Sequence, residues 1–472
     1  MMNIPDNASA FRAAGKANSI ICTAAVVICL IFVVLSPLKG LPPAGQKVLG
    51  IALVAIAFWS TEMLPIAVTG MMVVILLAVS GSVSGLKEAL FGFAQPVVYF
   101  LIGVLTIGSA VLKSGLAERA ARYFLLACKG NPRKLYIQLL VSFPLLTLIL
   151  PSATTRSAIL IHVYEQVLEL SRVPRNSSLS KAIMMALNSI NRLASTMLLT
   201  GGITPVLSAA MVGGVAWSRW FVLMSVPYGV LLAAGGIILY RNHSSGFSEK
   251  LSQLPGSGLS FLTKMEVRTA IITFGTSALW LTDAVHHLNP ALPALFAWIL
   301  LLAPGVGVLK WKEFERSFGW SNFFVLATSL SLANAIIKSG TGAWIADTIL
   351  NHVPLLTKQP LLVVIVLLVC AAFVRLLIPN ITGFLAITIP VAMAIGKATG
   401  LNPLLCGLIV MIAGDSVLYY PAQSASSLVV YERGYLSAPE IFRFGALMTV
   451  VAFLVVLLVA LPYWTAVGEP LF

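Results

Sequence analysis

Charged residues are scarce in this chain. Only 10% of its 472 residues are Asp, Glu, Lys or Arg, whereas soluble domains carry about 25%. The mean hydropathy is +0.97, and apolar runs of the length that spans a bilayer recur along the sequence. These runs are 19–37, 48–85 (two spans joined near Pro65), 97–112, 182–214, 220–240, 269–303 and 444–466. The composition excludes a soluble globular protein and predicts an all-α integral membrane protein, because helices satisfy their own backbone groups in lipid.

Residues for metal binding, disulfide bonds and acid–base catalysis are also few. The five cysteines lie in scattered apolar segments, with neither a metal-ligand spacing nor a disulfide framework: Cys22, Cys29, Cys128, Cys370 and Cys406. The sequence contains no Walker-type phosphate loop. No catalytic spacing connects His162 with Asp415. These absences argue against a metal centre, direct ATP drive and an enzyme, and we expect no cofactor.

The formal net charge of +14 reflects membrane topology. With the N-terminus inside and eleven crossings, most of the Lys and Arg residues fall in internal loops. The run 19–37 lacks a small-residue cleavage site and predicts a retained first span. We therefore expect a multi-pass protein of a bacterial inner membrane, surrounded by lipid, with no nucleic acid partner.

Two segments of the chain resemble each other. Their equivalent residues are separated by the same number of positions as Lys113 and Lys338. In "FLIGVLTIGSAVLKSGLAERAARYFL" (100–125) and "FFVLATSLSLANAIIKSGTGAWIADTIL" (323–350), a long apolar helix ends at Lys-Ser-Gly and an amphipathic piece follows. The predicted topology puts the first turn inside and the second outside. This pattern indicates an inverted repeat, which many secondary transporters contain.

An interrupted apolar segment follows each copy of the repeat, at 136–170 and 361–395. The interruptions, "PSATTRS" (151–157) and "PNITG" (379–383), predict the polar tips of two re-entrant hairpins. The helix after each tip offers free N–H groups and a positive dipole end, so two opposed tips would bind an anion. One such cluster alone would be explained by hydroxyls bonded to the preceding turn. Two at matching places favour the anion site, and opposed hairpins favour a carrier over a channel.

Four charged residues lie in apolar surroundings: Arg156, Arg192, Arg375 and Asp415. Charged residues within a bilayer face a cavity or a partner, and Arg binds carboxylates bidentately. One hypothesis is that Arg156, with Arg192, is a fixed positive charge that faces the bound anion in place of a bound cation. Because a fixed charge cannot leave with the anion, this hypothesis favours exchange. The alternatives are that Arg156 or Arg192 pairs with Asp415 to hold the bundle, and that Asp415 carries a proton. His162 is interpreted as a structural residue.

Four segments in order resemble the divalent anion/sodium symporter family of di-/tricarboxylate and sulfate carriers. They are the two repeat helices, "WSTEMLPIAVTG" (59–70) and "VVYERGYLSAPEIFRFGALMTVVAFLVVLLVALPYW" (429–464). The segment 198–221 is most similar to the corresponding segment of the family's citrate/tartrate and 2-oxoglutarate/malate exchangers. The resemblance implies about eleven transmembrane helices, two re-entrant hairpins in an inverted repeat, elevator-type transport and a homodimer.

The resemblance also implies a division of the chain into scaffold and transport elements. Scaffold helices are expected at 1–95 and 269–322, with a cytoplasmic linker at 241–268. The expected repeat cores and their parts are 96–240 with hairpin 136–170 and broken helix 182–214, and 323–472 with hairpin 361–395, a second broken helix and the last span.

The family has a Ser-Asn-Thr motif at each hairpin tip, where this chain has Ser152-Ala153-Thr154 and Asn380-Ile381-Thr382. Its two helix-breaking loops resemble "TGGITPV" (200–206) and "PAQSASS" (421–427). These motifs, together with Arg156, give the predicted substrate residues: Ser152, Thr154, Arg156, Asn380, Thr382, Thr204, Pro205 and Ser424. The ion-coupling candidates are Ser152, Gly201, Gly202, Asn380 and Asp415.

Both central asparagines of the family's motif are replaced in this chain, by Ala153 and Ile381. In the family these asparagines contact substrate carboxylates and lie beside sodium ions, so we expect weak or absent sodium coupling. The resulting prediction is a secondary transporter that exchanges small di- or tricarboxylates. The alternative is sodium- or proton-coupled symport of dicarboxylate or sulfate, with sodium as the coupling ion.

Overall fold

The structure, a computed structural model, describes residues 19–31, 38–126, 128, 130–150, 152–248, 251, 261–357 and 359–472. These residues form helices and connecting turns, with no strand among them. The prediction of an all-α chain is confirmed. Parts of four predicted features lie outside the described residues: Pro151 at the first hairpin tip, 32–37 of the first apolar run, 1–18 of the expected scaffold segment 1–95, and 249–250 and 252–260 of the expected linker.

The first described part of the chain contains four α-helices and a 3₁₀ turn. They are α1 (Ser19–Ile31), α2 (Pro43–Thr61), α3 (Ile66–Val79), α4 (Leu86–Ala89) and the 3₁₀ turn Phe91–Ala94. Between α2 and α3, Glu62 has a φ of 51° and Pro65 precedes the next helix. Because proline cannot continue a helix, the run 48–85 divides here, as predicted.

Twelve α-helices follow between residues 96 and 319: α5 (Pro96–Ser114), α6 (Leu116–Leu126), α7 (Pro132–Thr147), α8 (Ala153–Leu170), α9 (Ser178–Met185), α10 (Asn191–Met197), α11 (Ile203–Met211), α12 (Trp217–Asn242), α13 (Lys264–Leu281), α14 (Asp283–His286), α15 (Ala291–Leu302) and α16 (Trp311–Ser317). A π-helical turn, Ala186–Ile190, joins α9 to α10, and a 3₁₀ turn, Leu199–Gly201, precedes α11. A further 3₁₀ turn is Ser244–Ser248.

The remaining described chain forms eight α-helices: α17 (Trp320–Lys338), α18 (Thr341–His352), α19 (Pro360–Leu377), α20 (Ile381–Thr399), α21 (Pro403–Asp415), α22 (Ala425–Tyr431), α23 (Ala438–Val455) and α24 (Leu461–Ala466). Short 3₁₀ turns occur at Pro354–Thr357 and Pro421–Gln423, and the π-helical turn Val456–Ala460 makes α23 continuous with α24. We call α7 and α8 hairpin 1, and α19 and α20 hairpin 2.

Among the described residues, seven helices are long and apolar enough to cross a bilayer: α2, α5, α12, α17, α19, α20 and the continuous α23–α24. The two arms of hairpin 1 are not in this set, whereas both arms of hairpin 2 are. Length and composition therefore distinguish hairpin 1 from ordinary spans, but not hairpin 2.

The chain divides into two compact units. The first unit contains Met1–Gln95 and Trp320–Gly407, and the second contains Pro96–Gly319 and Leu408–Phe472. Hairpin 2 belongs to the first unit and hairpin 1 to the second. This division describes static packing, whereas the expected scaffold and transport elements differ in motion, so that expectation stays a prediction.

The repeat is visible in how the long helices pack. In the second unit α5 packs against α15, and in the first unit α17 packs against α3. The offset from Lys113 to Lys338 relates α5 to α17 and also α3 to α15. Each copy of the repeat therefore supplies the partner of the other copy's long helix. The α5–α15 contact requires glycine, because a Cβ on Gly103 would lie 2.1 Å from the carbonyl oxygen of Ala294.

Two ion pairs follow the same offset. Lys113 Nζ lies 2.6 Å from Glu313 Oε2, and Lys338 Nζ lies 2.8 Å from Glu88 Oε1. The two glutamates are as far apart in the sequence as the two lysines. After each lysine the predicted Lys-Ser-Gly turn is present, and its glycine has a positive φ. The internal repeat is thus confirmed in helices, turns and charges, and its inversion across the membrane stays a prediction.

Candidate functional site

The tip of hairpin 1 begins an 18-residue helix, α8. Ser152 precedes it in an extended conformation, and its hydroxyl accepts a hydrogen bond from the Thr155 N–H at 3.3 Å. Within the described chain, the N–H groups of Ala153 and Thr154 and the Thr154 hydroxyl have no hydrogen-bond partner. The tip therefore offers three free donors beside the positive end of a helix dipole.

Arg156 lies one turn below this tip and is fully buried. Its Nη1 donates to the carbonyl oxygen of Leu150 at 2.8 Å, and its Nε donates to Asn191 Oδ1 at 3.0 Å. Its Nη2 donates to the Asn191 carbonyl at 3.0 Å and to Ser195 Oγ at 2.7 Å. All four acceptors are neutral, and no described carboxylate pairs with Arg156. The guanidinium is thus held in place while its charge stays uncompensated.

Helix α10 connects hairpin 1 to the first helix-breaking loop. Asn191 Nδ2 donates to the Ala153 carbonyl at 3.0 Å and to Ser157 Oγ at 2.8 Å. One turn later, the backbone of Ser195 lies against Gly201, where a Cβ would be 2.0 Å from the Ser195 carbonyl oxygen. Only glycine permits this approach, so Gly201 brings its loop next to the residue that binds Arg156.

The first loop, which corresponds to "TGGITPV", ends at Gly202 and leads into α11. Gly202 has no side chain that could cap the helix, so the first N–H groups of α11 stay open. Thr204 and Pro205 form part of this first turn and are both buried. The loop thus adds a second helix N-terminus to the hairpin 1 side of the site.

Asp415 ends α21 and is paired with Arg192. The Arg192 Nη1 lies 3.8 Å from Asp415 Oδ1, and Arg192 Nη2 donates to the carbonyl oxygens of Asp415 and Val417. Asp415 Oδ2 accepts hydrogen bonds from Thr196 Oγ1 at 2.7 Å and the Tyr228 hydroxyl at 3.1 Å. Of the open alternatives, pairing with Asp415 holds for Arg192 and not for Arg156.

The second helix-breaking loop is held by α22 and the π-helical turn. Ser427 Oγ donates to Asn188 Oδ1, in that turn, at 2.6 Å. The hydroxyls of Ser424 and Ser426 share a hydrogen bond at 2.8 Å, and Gln423 Oε1 accepts from the Tyr419 N–H at 2.7 Å. The extra residue of a π-turn changes the helical register, a feature frequent at functional sites.

In the first unit, the tip of hairpin 2 has its own arrangement. Asn380 Oδ1 accepts from the N–H groups of Thr382 at 2.9 Å and Gly383 at 3.4 Å, and from Thr382 Oγ1 at 2.6 Å. Arg375, fully buried, donates to the carbonyl oxygens of Ile378 at 2.7 Å and Pro379 at 2.6 Å. The convergence of the two tips on one anion stays a prediction.

A cavity of about 650 Å³ with both polar and apolar walls runs along α8 in the second unit. It begins at Thr154 and Thr155 at the tip and ends beside Glu169. The opposite wall comes from α5 and α6, with Arg122 among its residues. His162 faces this cavity, and its Nε2 lies 3.4 Å from Arg433 Nη2. The cavity therefore extends from the hairpin 1 tip along α8.

The sequence interpretation missed the supporting residues Ser195, Thr196 and Tyr228. The segment "LNSINRLAS" (187–195) contained part of the signal, since Asn191 and Ser195 are four residues apart and share a helix face. Tyr228 lies in a long apolar helix and gave no local signal of its contact with Asp415.

The whole chain can be compared with known proteins. A family model described as "Sodium:sulfate symporter transmembrane region" matches residues 16–469. The chain belongs to this family. The resemblance found in the sequence is thereby confirmed, and the fold is that of a membrane transporter family.

The individual relatives share only a minority of their residues with this chain. A "Membrane protein" of Cupriavidus necator is 23% identical over 94% of this chain and 92% of its own length. A "Citrate/succinate antiporter" of Escherichia coli K12 is 27% identical over 80% of each chain. The crystal structure of the Alcanivorax borkumensis YdaH transporter shares the fold, with a TM-score of 0.55 at 14% identity, covering 80% of this chain and 87% of that one.

Proposed function

We propose that this family member is a secondary transporter that exchanges small organic anions, most of all di- or tricarboxylates. The observation that carries the proposal is the buried Arg156 guanidinium without a described carboxylate partner, one turn from the open N–H groups of Ala153 and Thr154. A fixed positive charge and a helix N-terminus both stabilise a bound carboxylate. The antiporter name of the E. coli relative supports this cargo and exchange.

In this proposal sodium coupling is weak or absent. The two capping side chains that would face a sodium ion are already engaged within the protein: Ser152 Oγ accepts the Thr155 N–H, and Asn380 Oδ1 accepts three hydrogen bonds. The fixed charge of Arg156 replaces the cation. A sodium ion could leave with the transported anion, but this charge cannot. After the anion is released, the charged site therefore moves back across the membrane most readily with another anion bound, which favours exchange.

The test is counterflow in proteoliposomes preloaded with succinate, citrate, 2-oxoglutarate or sulfate. We expect uptake of labelled succinate only into vesicles preloaded with a carboxylate, without a requirement for sodium or a pH gradient. Movement of none of the four anions would refute the transport proposal. Sodium-dependent net uptake into empty vesicles would refute the coupling proposal alone.

A second candidate is sodium- or proton-coupled symport of a dicarboxylate or sulfate. The observation that favours it is the buried Asp415 carboxylate, which is hydrogen-bonded to Thr196 and Tyr228 and is the candidate ion-coupling group. The family description, which contains sodium and sulfate, agrees with it. Net uptake driven by either gradient, and its loss in Asp415→Asn, would select this candidate over exchange.

We propose further that the protein is a homodimer in a bacterial inner membrane, with its N-terminus inside and an elevator-like movement of the hairpins. The support is the family resemblance and the distribution of basic loops. Light scattering of the purified protein tests the dimer. Labelling of single cysteines from either side of the membrane tests orientation and movement.

A further inference from the structure

An apolar groove lies between α7, the first arm of hairpin 1, and α12. Its volume is about 650 Å³ and its lining is almost entirely apolar. Three of its side chains, Ile137, Val141 and Leu145, lie one turn apart on α7 and are 56%, 48% and 47% exposed. Such a stripe is open to its surroundings and is suited to a hydrocarbon chain.

The groove exists because α12 has small residues along this face. A Cβ on Gly229 would contact only the Met197 side chain, at 3.9 Å, so the space beside it is open. At Gly236 the wall closes, since a Cβ there would lie 2.5 Å from Leu140 Cδ1. No side chain of the described chain fills the space beside Gly229.

One end of the groove carries two tyrosines. The rings of Tyr136 and Tyr240 are 6.4 Å apart, and the Tyr136 hydroxyl donates to the Gly236 carbonyl at 2.9 Å. The Tyr240 hydroxyl has no partner in the described part of the chain. Tyrosine prefers the membrane–water interface, which places this end of the groove at headgroup depth.

Basic residues continue both walls beyond the tyrosines. Arg133 precedes Ile137 by four residues on α7, and Arg241 follows Ile237 by four on α12. Residues four apart share a helix face, so both arginines extend the groove at its tyrosine end. Both are exposed, and neither side chain has an ion pair or hydrogen bond within the described residues. The groove therefore combines an apolar trough with two free cations at one end.

We propose that this groove binds an anionic phospholipid, with an acyl chain along α7 and α12 and the headgroup phosphate at Arg133 and Arg241. The apolar trough explains the acyl chain, which a free phosphate would not need. The two cations explain a preference for anionic headgroups over zwitterionic ones. The site is separate from the cavity along α8.

Native mass spectrometry of the detergent-purified protein tests the proposal with phosphatidylglycerol and phosphatidylcholine of identical acyl chains. We expect phosphatidylglycerol to be retained preferentially. The double variant Arg133→Gln/Arg241→Gln should reduce its retention by about fivefold or more. The control Lys264→Gln/Arg268→Gln removes two exposed cations from α13 and should retain it as the unmodified protein does. Equal loss in both variants, or equal retention of the two lipids by the unmodified protein, would overturn the proposal.

A second pair of variants tests the apolar trough without changing charge. Gly229→Leu fills the open space and removes a helix-destabilising glycine, so we expect the protein to fold and to lose both lipids. Gly275→Leu is the matched control, because a Cβ at this position of α13 meets no atom within 4 Å. Gel filtration and thermal unfolding verify folding of each variant. Unchanged phosphatidylglycerol retention in Gly229→Leu would contradict binding in the groove.

Discussion

Hairpins 1 and 2 use the same backbone design at their tips. Ser152 corresponds to Asn380, and each residue caps the helix of the second arm with a side-chain oxygen. Leu150 and Ile378 each lie two residues before the cap, and their carbonyl oxygens each accept a hydrogen bond from a buried arginine. In both halves of the repeat, a side-chain cap and a buried arginine therefore satisfy backbone groups at the hairpin tip in the same way.

The two hairpins differ in which side chains remain available to bind a ligand. Arg156 belongs to the second arm of hairpin 1 and also binds α10, whereas Arg375 belongs to the first arm of hairpin 2. The Thr154 hydroxyl has no partner among the described residues, while the Thr382 hydroxyl donates to Asn380. Two equivalent tips thus differ in the donors that they leave for a ligand, and hairpin 1 leaves more.

The largest effect is expected from Arg156→Ala. The substitution removes four hydrogen bonds that Arg156 donates to buried acceptors on Leu150, Asn191 and Ser195, and should lower the free energy of unfolding by about 3 kcal/mol or more. Transport should also be lost. Thermal unfolding in detergent and counterflow measure the two effects. Arg156→Lys keeps the charge, and better succinate binding by this variant than by Arg156→Gln separates charge from hydrogen bonding. Normal uptake by Arg156→Ala would remove Arg156 from the mechanism.

Thr154→Ala should mainly affect substrate binding, whereas Thr382→Ala should mainly affect stability. Loss of the free Thr154 hydroxyl removes a hydrogen bond to a charged substrate, and we expect KM for succinate to rise about tenfold, or about 1.4 kcal/mol. Thr382→Ala should instead lower stability by about 1 kcal/mol, with a smaller change in KM. Counterflow at varied substrate concentration measures both. Thr154→Ser retains the hydroxyl and should restore KM, and equal KM changes at the two threonines would argue against the difference.

The helix caps should have moderate effects. Ser152→Ala and Asn380→Ala each remove an N-cap, which costs about 1 kcal/mol. The loss should be larger for Asn380, whose oxygen accepts from two N–H groups and a hydroxyl, than for Ser152, which accepts from one N–H. Thermal unfolding of both variants in one detergent gives the order. A greater loss for Ser152→Ala would reverse this part of the comparison.

The repeat-related ion pairs should contribute least. Hydrogen bonds from Lys338 and Ser84 lower the pKa of Glu88 to about 2. This carboxylate therefore favours the folded state above its ordinary pKa, and its contribution disappears as the pH falls toward 2. Because each pair has at least one solvent-accessible partner, Lys338→Ala and Lys113→Ala should both change the unfolding temperature little, and less at high salt. A large drop in either variant would show that the pair holds the repeat together.

Local patterns predicted most of the fold. Apolar run length identified the long helices, and prolines and polar clusters located the breaks between α2 and α3 and at both hairpin tips. The Lys-Ser-Gly turns gave the repeat. These features depend on neighbouring residues, so they can be recognised without coordinates. Substrate residues such as Thr154 and Thr204 were predicted through the family resemblance and remain part of the proposal.

The sequence by itself determined that this chain is helical, lies in a membrane, contains a repeat and interrupts two hairpins with polar residues, because each property follows from local composition and spacing. Only the tertiary structure decided that Arg192 pairs with Asp415 and that Arg156 binds α10 without a described carboxylate. These pairings join residues that are 223 and 35 positions apart. A contact between a buried charge and a residue distant in the sequence depends on how helices pack, and no local pattern records it.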